Sequence, residues 1–240
     1  MEQIYTIPIN EAFEKCMEEE GCNCPICKLF DKLEKKEVEM ALGASMMEPS
    51  TRIQTNEKGF CSEHFRMLVN QNNSLSLALV LESHLMTLKE KMDGNLLTTI
   101  LGGKARNHIK TAKGVSNNCF ICERLEPHYN RMIENTVLLY AYEPQFKAKL
   151  LSQKYFCLPH YQMLMEYAKN KLDKKKYDEF FKDMSEVENK YFEKIIKDIS
   201  WYCKKFDYRY DSEPWYDSKD AVERAIRFLS CGTSDDKNNK

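Results

Sequence analysis

Four pairs of cysteine and histidine residues are the part of this sequence best suited to chemistry. In chain order the pairs are Cys24 with Cys27, Cys61 with His64, Cys119 with Cys122, and Cys157 with His160. Two CxxC motifs thus alternate with two CxxH motifs. One motif of each kind supplies three thiolates and one imidazole, a standard tetrahedral donor set for zinc. Cysteine pairs at this spacing are typical of metal sites, so the sequence predicts two zinc ions, with iron–sulfur clusters as the alternative.

The order of the motifs leaves open which pairs share an ion. Each CxxC motif could bind together with the CxxH motif that follows it in the chain. The alternative joins Cys24 and Cys27 to Cys157 and His160. We expect the first arrangement because it closes shorter loops, and the entropic cost of closing a loop grows with its length.

The spacing of the motifs indicates an internal duplication. Corresponding ligands in the two copies lie 95 or 96 residues apart, and Glu48-Pro49 matches Glu143-Pro144. This period is longer than that of solenoid repeats, so we interpret the chain as two homologous modules. Glu48 and Glu143 are interpreted as residues at helix starts. The alternative roles are acid–base catalysis or, for each carboxylate, a hydrogen bond to His64 or His160.

Hydrophobic periodicity predicts that helices position the ligands. Apolar residues recur at helical spacing after Cys27 and Cys122, and Pro49 and Pro144 suit the first turns of short helices. Each module of this all-α fold is expected to contain an outgoing, a short returning and a third helix. The ligand pairs then lie at helix N-termini, where free N–H groups and the helix dipole stabilise thiolates. Pro127 is also expected in a first turn.

The predicted modules occupy most of the chain. The first spans 1–94 and the second spans 119–210. Between them, 95–118 forms a basic connector that contains glycines and has room for a short helix. A C-terminal helix and a disordered tail occupy 211–240. We expect these parts to form one compact fold.

Three amphipathic segments lie outside the ligand motifs. Apolar residues on several faces place a helix from Ser74 to about Met92 at the centre of the core. A long helix over 172–206 carries an apolar stripe that includes Phe181. This stripe predicts either core packing or a surface for a protein partner or a second copy of the chain. The buried face of the last helix is expected to hold Val222, Ala225, Ile226 and Leu229.

Four of the ten cysteines fall outside the two ligand sets. Cys22 lies just before the first CxxC motif and is interpreted as a spare thiol, with a role as an alternate ligand left open. Cys16, Cys203 and Cys231 have no matched partner and are interpreted as small apolar residues. Because the N-terminal segment does not resemble a signal peptide, we expect a cytoplasmic protein without disulfides.

Composition and motifs exclude several classes of function. Lysine and arginine number 36 against 37 aspartate and glutamate, a net charge of −1, so nucleic-acid binding through bulk charge is not expected. No apolar run approaches the roughly 18 residues of a membrane helix. HExxH, GxSxG and dinucleotide-binding motifs are missing. We therefore expect an interaction protein with structural zinc rather than an enzyme, and the alternative is an iron–sulfur or thiol-redox enzyme.

The sequence also resembles a known family. YTIPINEAF, CPIC, TNEKGFCSEH, LALVLESHL and DSKDAVERAIRFLS are similar to segments of a family of bacterial proteins whose function is unknown. The resemblance extends over essentially the whole chain. It implies a soluble, helical, metal-binding protein, and it brings neither an assigned activity nor a catalytic residue.

Overall fold

Helices provide the regular secondary structure of this chain. The computed structural model describes residues 3–19, 22, 24–93 and 104–231. These ranges contain no strand, which confirms the predicted all-α class. The helices are α1 (Gln3–Glu18), α2 (Pro25–Leu42), α3 (Pro49–Lys58), α4 (Ser62–Val69), α5 (Ser74–Asp93), α6 (Lys104–Asn117), α7 (Phe120–Tyr142), α8 (Pro144–Leu151), α9 (Leu158–Lys171), α10 (Lys174–Lys204) and α11 (Ala221–Ser230). Short 3₁₀ helices cover Ala44–Met47, Tyr208–Tyr210 and Tyr216–Ser218. None of the described helices combines the length and apolarity needed to cross a membrane.

The chain divides into two compact units. Unit 1 comprises Met1–Asp31 and Tyr129–Lys240, and unit 2 comprises Lys32–His128. The boundaries between the units fall inside α2 and α7 rather than in the predicted connector. Each unit therefore takes segments from both predicted modules, and the duplication stays a prediction from the sequence.

Helix α1 is an element of unit 1 that sequence reasoning missed. Its buried residues recur with the helical period and are Ile9, Ala12, Phe13 and Cys16. The ring of Phe13 packs against those of Phe146 in α8 and Phe156, at centroid distances of 5.0 and 6.1 Å. The N-terminal segment therefore belongs to the core that surrounds the second CxxH motif.

Two helices continue through a proline. Pro8 lies inside α1, and Pro127 lies inside α7. The expectation that Pro127 occupies a first turn is wrong, because α7 already begins at Phe120. A proline removes one backbone hydrogen bond and crowds the preceding turn, and the buried apolar face of the rest of each helix offsets this cost.

The predicted long helix is confirmed as α10. The Asp173 side chain caps its first turn by accepting the Lys176 N–H at 3.0 Å. The buried residues of α10 are Phe180, Met184, Glu188, Tyr191 and Ile195. Phe181, which the predicted stripe included, is 51% exposed because Phe180 takes the core position. Met184, Tyr191 and Ile195 of the predicted stripe are thus buried within unit 1, and a partner surface on this helix stays a prediction.

The last helix, α11, buries a different face from the predicted one. Phe228 is fully buried, and its ring centroid lies 5.1 Å from that of Tyr191 and 4.7 Å from that of Phe192. Ile226 and Leu229, from the predicted face, are each 57% exposed. The expected face was wrong because one aromatic ring buries more area than the smaller aliphatic side chains.

Helix α5 packs against α3 and α6 in unit 2. It buries one face, through Leu77, Val80 and His84, while Leu85 and Met86 are exposed. The expectation that α5 is buried on several sides is therefore wrong. Helix α6 shows that the connector contains 14 helical residues. The parts of the connector and tail predictions that concern 95–103 and 232–240 lie outside the described residues.

Candidate metal centres

The four motifs converge in two clusters of metal-binding side chains. Site A contains Cys24, Cys27, Cys157 and His160, and site B contains Cys61, His64, Cys119 and Cys122. Within each cluster, the donor atoms all lie within 4.8 Å of one another. Each cluster combines three thiols with one imidazole, the composition that the sequence predicts.

The pairing of the motifs differs from the expected one. The first CxxC motif meets the second CxxH motif at site A, and the remaining two motifs meet at site B. The expected local pairing is therefore wrong. Cys27 is 130 residues from Cys157 but only 34 from Cys61, and closing the longer loop costs only about 1.2 kcal/mol more. Helix packing easily outweighs a preference of this size.

Site A lies in the core of unit 1, and its four ligand residues are at most 7% exposed. The His160 Nδ1 atom lies 3.0 Å from the Cys157 Sγ, 3.3 Å from the Cys27 Sγ and 3.5 Å from the Cys24 Sγ. The Sγ atoms of Cys27 and Cys157 are 3.6 Å apart. Ideal zinc bond lengths in a tetrahedron separate sulfur from nitrogen by about 3.5 Å and two sulfurs by about 3.8 Å. The donors of site A thus have the spacing that surrounds a single ion.

Site B lies in unit 2 and has the same donor geometry. The His64 Nδ1 atom lies 3.1 Å from the Cys61 Sγ, 3.3 Å from the Cys119 Sγ and 3.4 Å from the Cys122 Sγ. The Sγ atoms of Cys61 and Cys122 are 4.0 Å apart. His64 and Cys119 are buried, whereas Cys122 is exposed. Site B therefore fits the same kind of ion but is closer to solvent than site A.

Helix N-termini carry the ligands at both sites, which confirms the predicted placement. The first ligand of each motif directly precedes a helix: Cys24 before α2, Cys61 before α4, Cys119 before α7 and Cys157 before α9. The carbonyl oxygen of each accepts the N–H four residues later and closes the first helical turn. Three thiolates with a divalent ion would carry a net charge near −1, which two helix dipoles would stabilise.

A backbone hydrogen bond joins the two halves of site B. The Phe120 N–H donates to the Gly59 carbonyl oxygen at 2.9 Å. Gly59 has a φ of +65°, a region that favours glycine. A Cβ atom at Gly59 would lie 2.8 Å from the His84 Nε2 atom. His84 is buried and fixed by its Nδ1–H, which donates to the Asn56 carbonyl at 2.9 Å. Gly59 therefore lets the chain approach both His84 and the other half of the site.

The carboxylate beside the site B imidazole is Glu34 of α2. Its Oε1 atom lies 3.3 Å from the His64 Nε2 atom, and its side chain is 15% exposed. The two groups are within ion-pair distance, although their alignment is not that of a full hydrogen bond. Glu48 and Glu143, considered for this role from the sequence, directly precede α3 and α8. Within the described ranges, neither contacts a ligand imidazole, so Glu34 takes the role at His64.

A different carboxyl group supports the backbone at site A. The Glu188 Oε1 atom accepts the Phe156 N–H at 2.7 Å, directly before Cys157. Glu188 is 3% exposed, and its Oε2 atom has no hydrogen-bond partner among the described residues. Burial raises the pKa of Glu188 to about 8, so the carboxyl group is protonated at neutral pH. No motif in the sequence marks this residue.

The ligands of both sites influence one another's ionisation. Burial raises the pKa of Cys119, but hydrogen bonds, first with the His64 ring, lower it to about 6. Burial lowers the pKa of His64, but its contacts with Cys119 and Glu34 raise it to about 10. Similar contacts raise the pKa of His160 to about 12, again against the effect of burial. Each metal-free site therefore favours thiolate beside imidazolium, and binding a cation releases protons.

Three cysteines outside the motifs have roles that differ from the predicted ones. Cys22 forms a disulfide with Cys16, and their Cα atoms are 4.9 Å apart. The expectation of a protein without disulfides is therefore wrong. Cys22 is not an alternate ligand, because the bond to Cys16 and the hydrogen bond from its N–H to the Glu19 carbonyl hold it at the end of α1. Cys231 follows α11, and its Sγ atom lies 3.2 Å from the Cys157 Sγ. It is therefore part of the surroundings of site A rather than a simple apolar residue.

The fold and the two clusters define a helical protein with two candidate Cys3His metal centres. The chain belongs to the family of unknown function DUF6062, whose family model matches residues 1–236. This confirms the resemblance to a family without an assigned function. No curated protein and no solved structure is significantly similar to the chain.

Proposed function

We propose that this protein binds one zinc ion at each of the two sites and that both ions have a structural role. The convergence of the motifs carries the proposal. At each site, two pairs of donors from distant parts of the chain meet with all donor atoms within 4.8 Å. Reduced thiols brought this close without an ion gain little, because a thiol is a weak hydrogen-bond donor and acceptor. A cation bound by all four donors explains why they lie so close together.

The donor type and spacing favour zinc. Three thiolates with one imidazole form a common closed zinc set. An iron–sulfur cluster inserts several irons and bridging sulfides between its ligands, and therefore separates them more widely than a single ion does. Distances of 3.0–3.6 Å at site A and 3.1–4.0 Å at site B match a single ion. The polynuclear cluster is therefore the weaker candidate.

The coordination geometry favours structure over catalysis. Four protein donors fill a tetrahedral shell and leave no position for a substrate, unlike the three-ligand sites of zinc enzymes. Each ion would tie together two helix starts, those of α2 and α9 at site A and those of α4 and α7 at site B. Structural zinc contributes about 10–16 kcal/mol in small zinc-binding peptides, comparable with the whole net stability of a domain. We infer that the ions hold a helical framework that acts by binding another molecule.

Elemental analysis of the full chain, purified without added metal, tests this proposal. We expect about two zinc ions per chain, bound by sets of four donors, and no visible absorption. Iron with acid-labile sulfide and a brown colour would show that the sites hold iron–sulfur clusters and not zinc. Folded protein that contains neither zinc nor iron would refute both the zinc and the iron–sulfur hypothesis.

Matched cysteine variants show whether the ions occupy the proposed sites. Cys27→Ser combined with Cys231→Ser removes a buried site A thiol and the neighbouring thiol that could replace it, and Cys122→Ser removes a site B thiol. Each variant is expected to lose one of the two zinc ions. Cys203→Ser changes an exposed cysteine outside both clusters and is expected to keep both ions. Equal metal content in all three variants would contradict the assignment.

A further inference from the structure

A fifth potential metal ligand lies beside site A. The Cys231 Sγ atom lies 3.2 Å from the Cys157 Sγ atom. It also lies 3.7 Å from the Nδ1 atom and 3.8 Å from the Nε2 atom of His160. These separations are close to the roughly 3.5–3.8 Å between two donors that share one tetrahedral ion. The thiol therefore borders the four-residue cluster on the side of Cys157 and His160.

Helix packing places Cys231 at the site. The helix that ends just before it, α11, packs against α9, which begins beside Cys157, and against α10. Phe228, one turn before Cys231, is anchored among buried aromatic rings. The approach of Cys231 to site A thus follows from the packing of α11 in unit 1.

The fifth thiol distinguishes site A from site B. The remaining cysteines outside site B are the other ligands of site A, the Cys16–Cys22 disulfide and the exposed Cys203. Site B therefore has no spare thiol. At site A, the four motif residues are buried, whereas Cys231 is partly exposed. A tetrahedral ion uses four donors, so site A has one more than it needs, and the additional donor is the most accessible of the five.

We propose that Cys231 is a reserve ligand of site A, which completes the coordination shell when His160 or Cys157 does not bind the ion. Site A can then hold a divalent, thiophilic cation with three thiolates and one imidazole or with four thiolates. Softer thiolate-rich sets favour thiophilic metals. This inference rests on the proposed metal-binding function, and it concerns which donors bind rather than whether metal binds.

Cobalt(II) binding to matched variants of the full chain tests the proposal. His160→Ala and His64→Ala remove equivalent imidazoles from sites A and B. We expect the His160→Ala variant to bind two cobalt ions, because Cys231 replaces the ring, and the His64→Ala variant to bind one. The sulfur-to-cobalt charge-transfer absorption of site A should increase in His160→Ala, since four thiolates then bind in place of three. His160→Ala combined with Cys231→Ser should bind one cobalt ion.

A second pair of variants covers the case in which His160→Ala does not fold. Cys157→Ser and Cys61→Ser remove equivalent thiols from the two sites. With Cys231 as the reserve ligand, the Cys157→Ser variant keeps two cobalt ions, whereas the Cys61→Ser variant keeps one. Loss of one ion in both Cys157→Ser and His160→Ala would overturn the proposal for Cys231. Wild-type protein that binds no cobalt would instead refute the proposed metal-binding function itself.

Discussion

Replacement of Glu34 by glutamine is expected to weaken metal binding at site B and leave site A unchanged. The Glu34 Oε1 atom lies 3.3 Å from the His64 Nε2 atom, on the side of the ring opposite the thiols. A carboxylate in this position orients the imidazole and makes Nδ1 a better donor to the ion. Glutamine keeps the size and one acceptor oxygen but removes the negative charge.

The magnitude follows from the kind of contact that is changed. Loss of a partner beside a ligand imidazole typically costs about 10- to 100-fold in metal affinity. Because the contact between Glu34 and His64 is an ion pair without the alignment of a full hydrogen bond, Glu34→Gln should stay near the lower end of this range, about 10-fold or about 1.4 kcal/mol. Glu34→Ala also removes the acceptor oxygen beside the ring and should approach the 100-fold end.

Competition with a chromophoric chelator measures the effect, because ions bound with different affinities should leave the chain at different chelator concentrations. The zinc ion of site B should be released at a lower chelator concentration in Glu34→Gln than in the wild type, and at a still lower one in Glu34→Ala. Glu48→Gln is the matched control, since Glu48 is exposed before α3 and does not contact the ring. Identical release curves for Glu34→Gln and the wild type would refute the reasoning, as would an equal loss in Glu48→Gln.

Three further predictions concern stability, which urea denaturation of the metal-loaded chain would measure. Gly59→Ala should destabilise the protein by about 2–5 kcal/mol, because it adds a Cβ at positive φ and forces a clash with His84. In the wild type, the folded Glu188 carboxyl group keeps a proton that the unfolded one releases, so the stability should fall by up to about 5 kcal/mol as pH rises from the ordinary glutamate pKa of 4.5 to about 8. Glu188→Gln should remove this loss. Phe228→Ala should cost about 3–5 kcal/mol, whereas Ile226→Ala, on the exposed face of the same helix, should change stability by less than about 0.5 kcal/mol.

Each of these predictions has a contradictory outcome. Unchanged stability of Gly59→Ala would show that the chain beside His84 can move without cost. A wild type and a Glu188→Gln variant with parallel pH profiles would show that Glu188 is already ionised below pH 8. A larger loss of stability in Ile226→Ala than in Phe228→Ala would show that α11 buries the face that the sequence predicts.

The members of the two clusters could be predicted from the sequence because tetrahedral metal sites restrict the type and spacing of their donors. Two CxxC and two CxxH motifs, each followed by helical periodicity, were enough to predict both the donors and their place at helix starts. Their pairing could not be predicted in the same way. Loop closure favours the local arrangement by only about 1–2 kcal/mol in total, and the contacts that decide the pairing are between residues distant in sequence.

The supporting residues depend on tertiary structure in a similar way. Glu34 and Glu188 lie on helices without any motif that marks them, and their roles arise only where those helices approach His64 and Phe156. The approach of Cys231 to Cys157 also depends on the packing of α11. Periodicity predicted where α10 and α11 lie in the chain but not which of two adjacent aromatic or aliphatic residues faces inward.

Anomalous X-ray scattering at the zinc absorption edge, measured on crystals of the full chain, tests the central claim most directly. The account predicts two peaks per chain. One should lie about 2.0–2.3 Å from the donor atoms of Cys24, Cys27 and two further ligands drawn from Cys157, His160 and Cys231. The other should lie equally close to those of Cys61, His64, Cys119 and Cys122. A peak shared by Cys27 and Cys61, or two clusters without any anomalous peak in a folded chain, would contradict it.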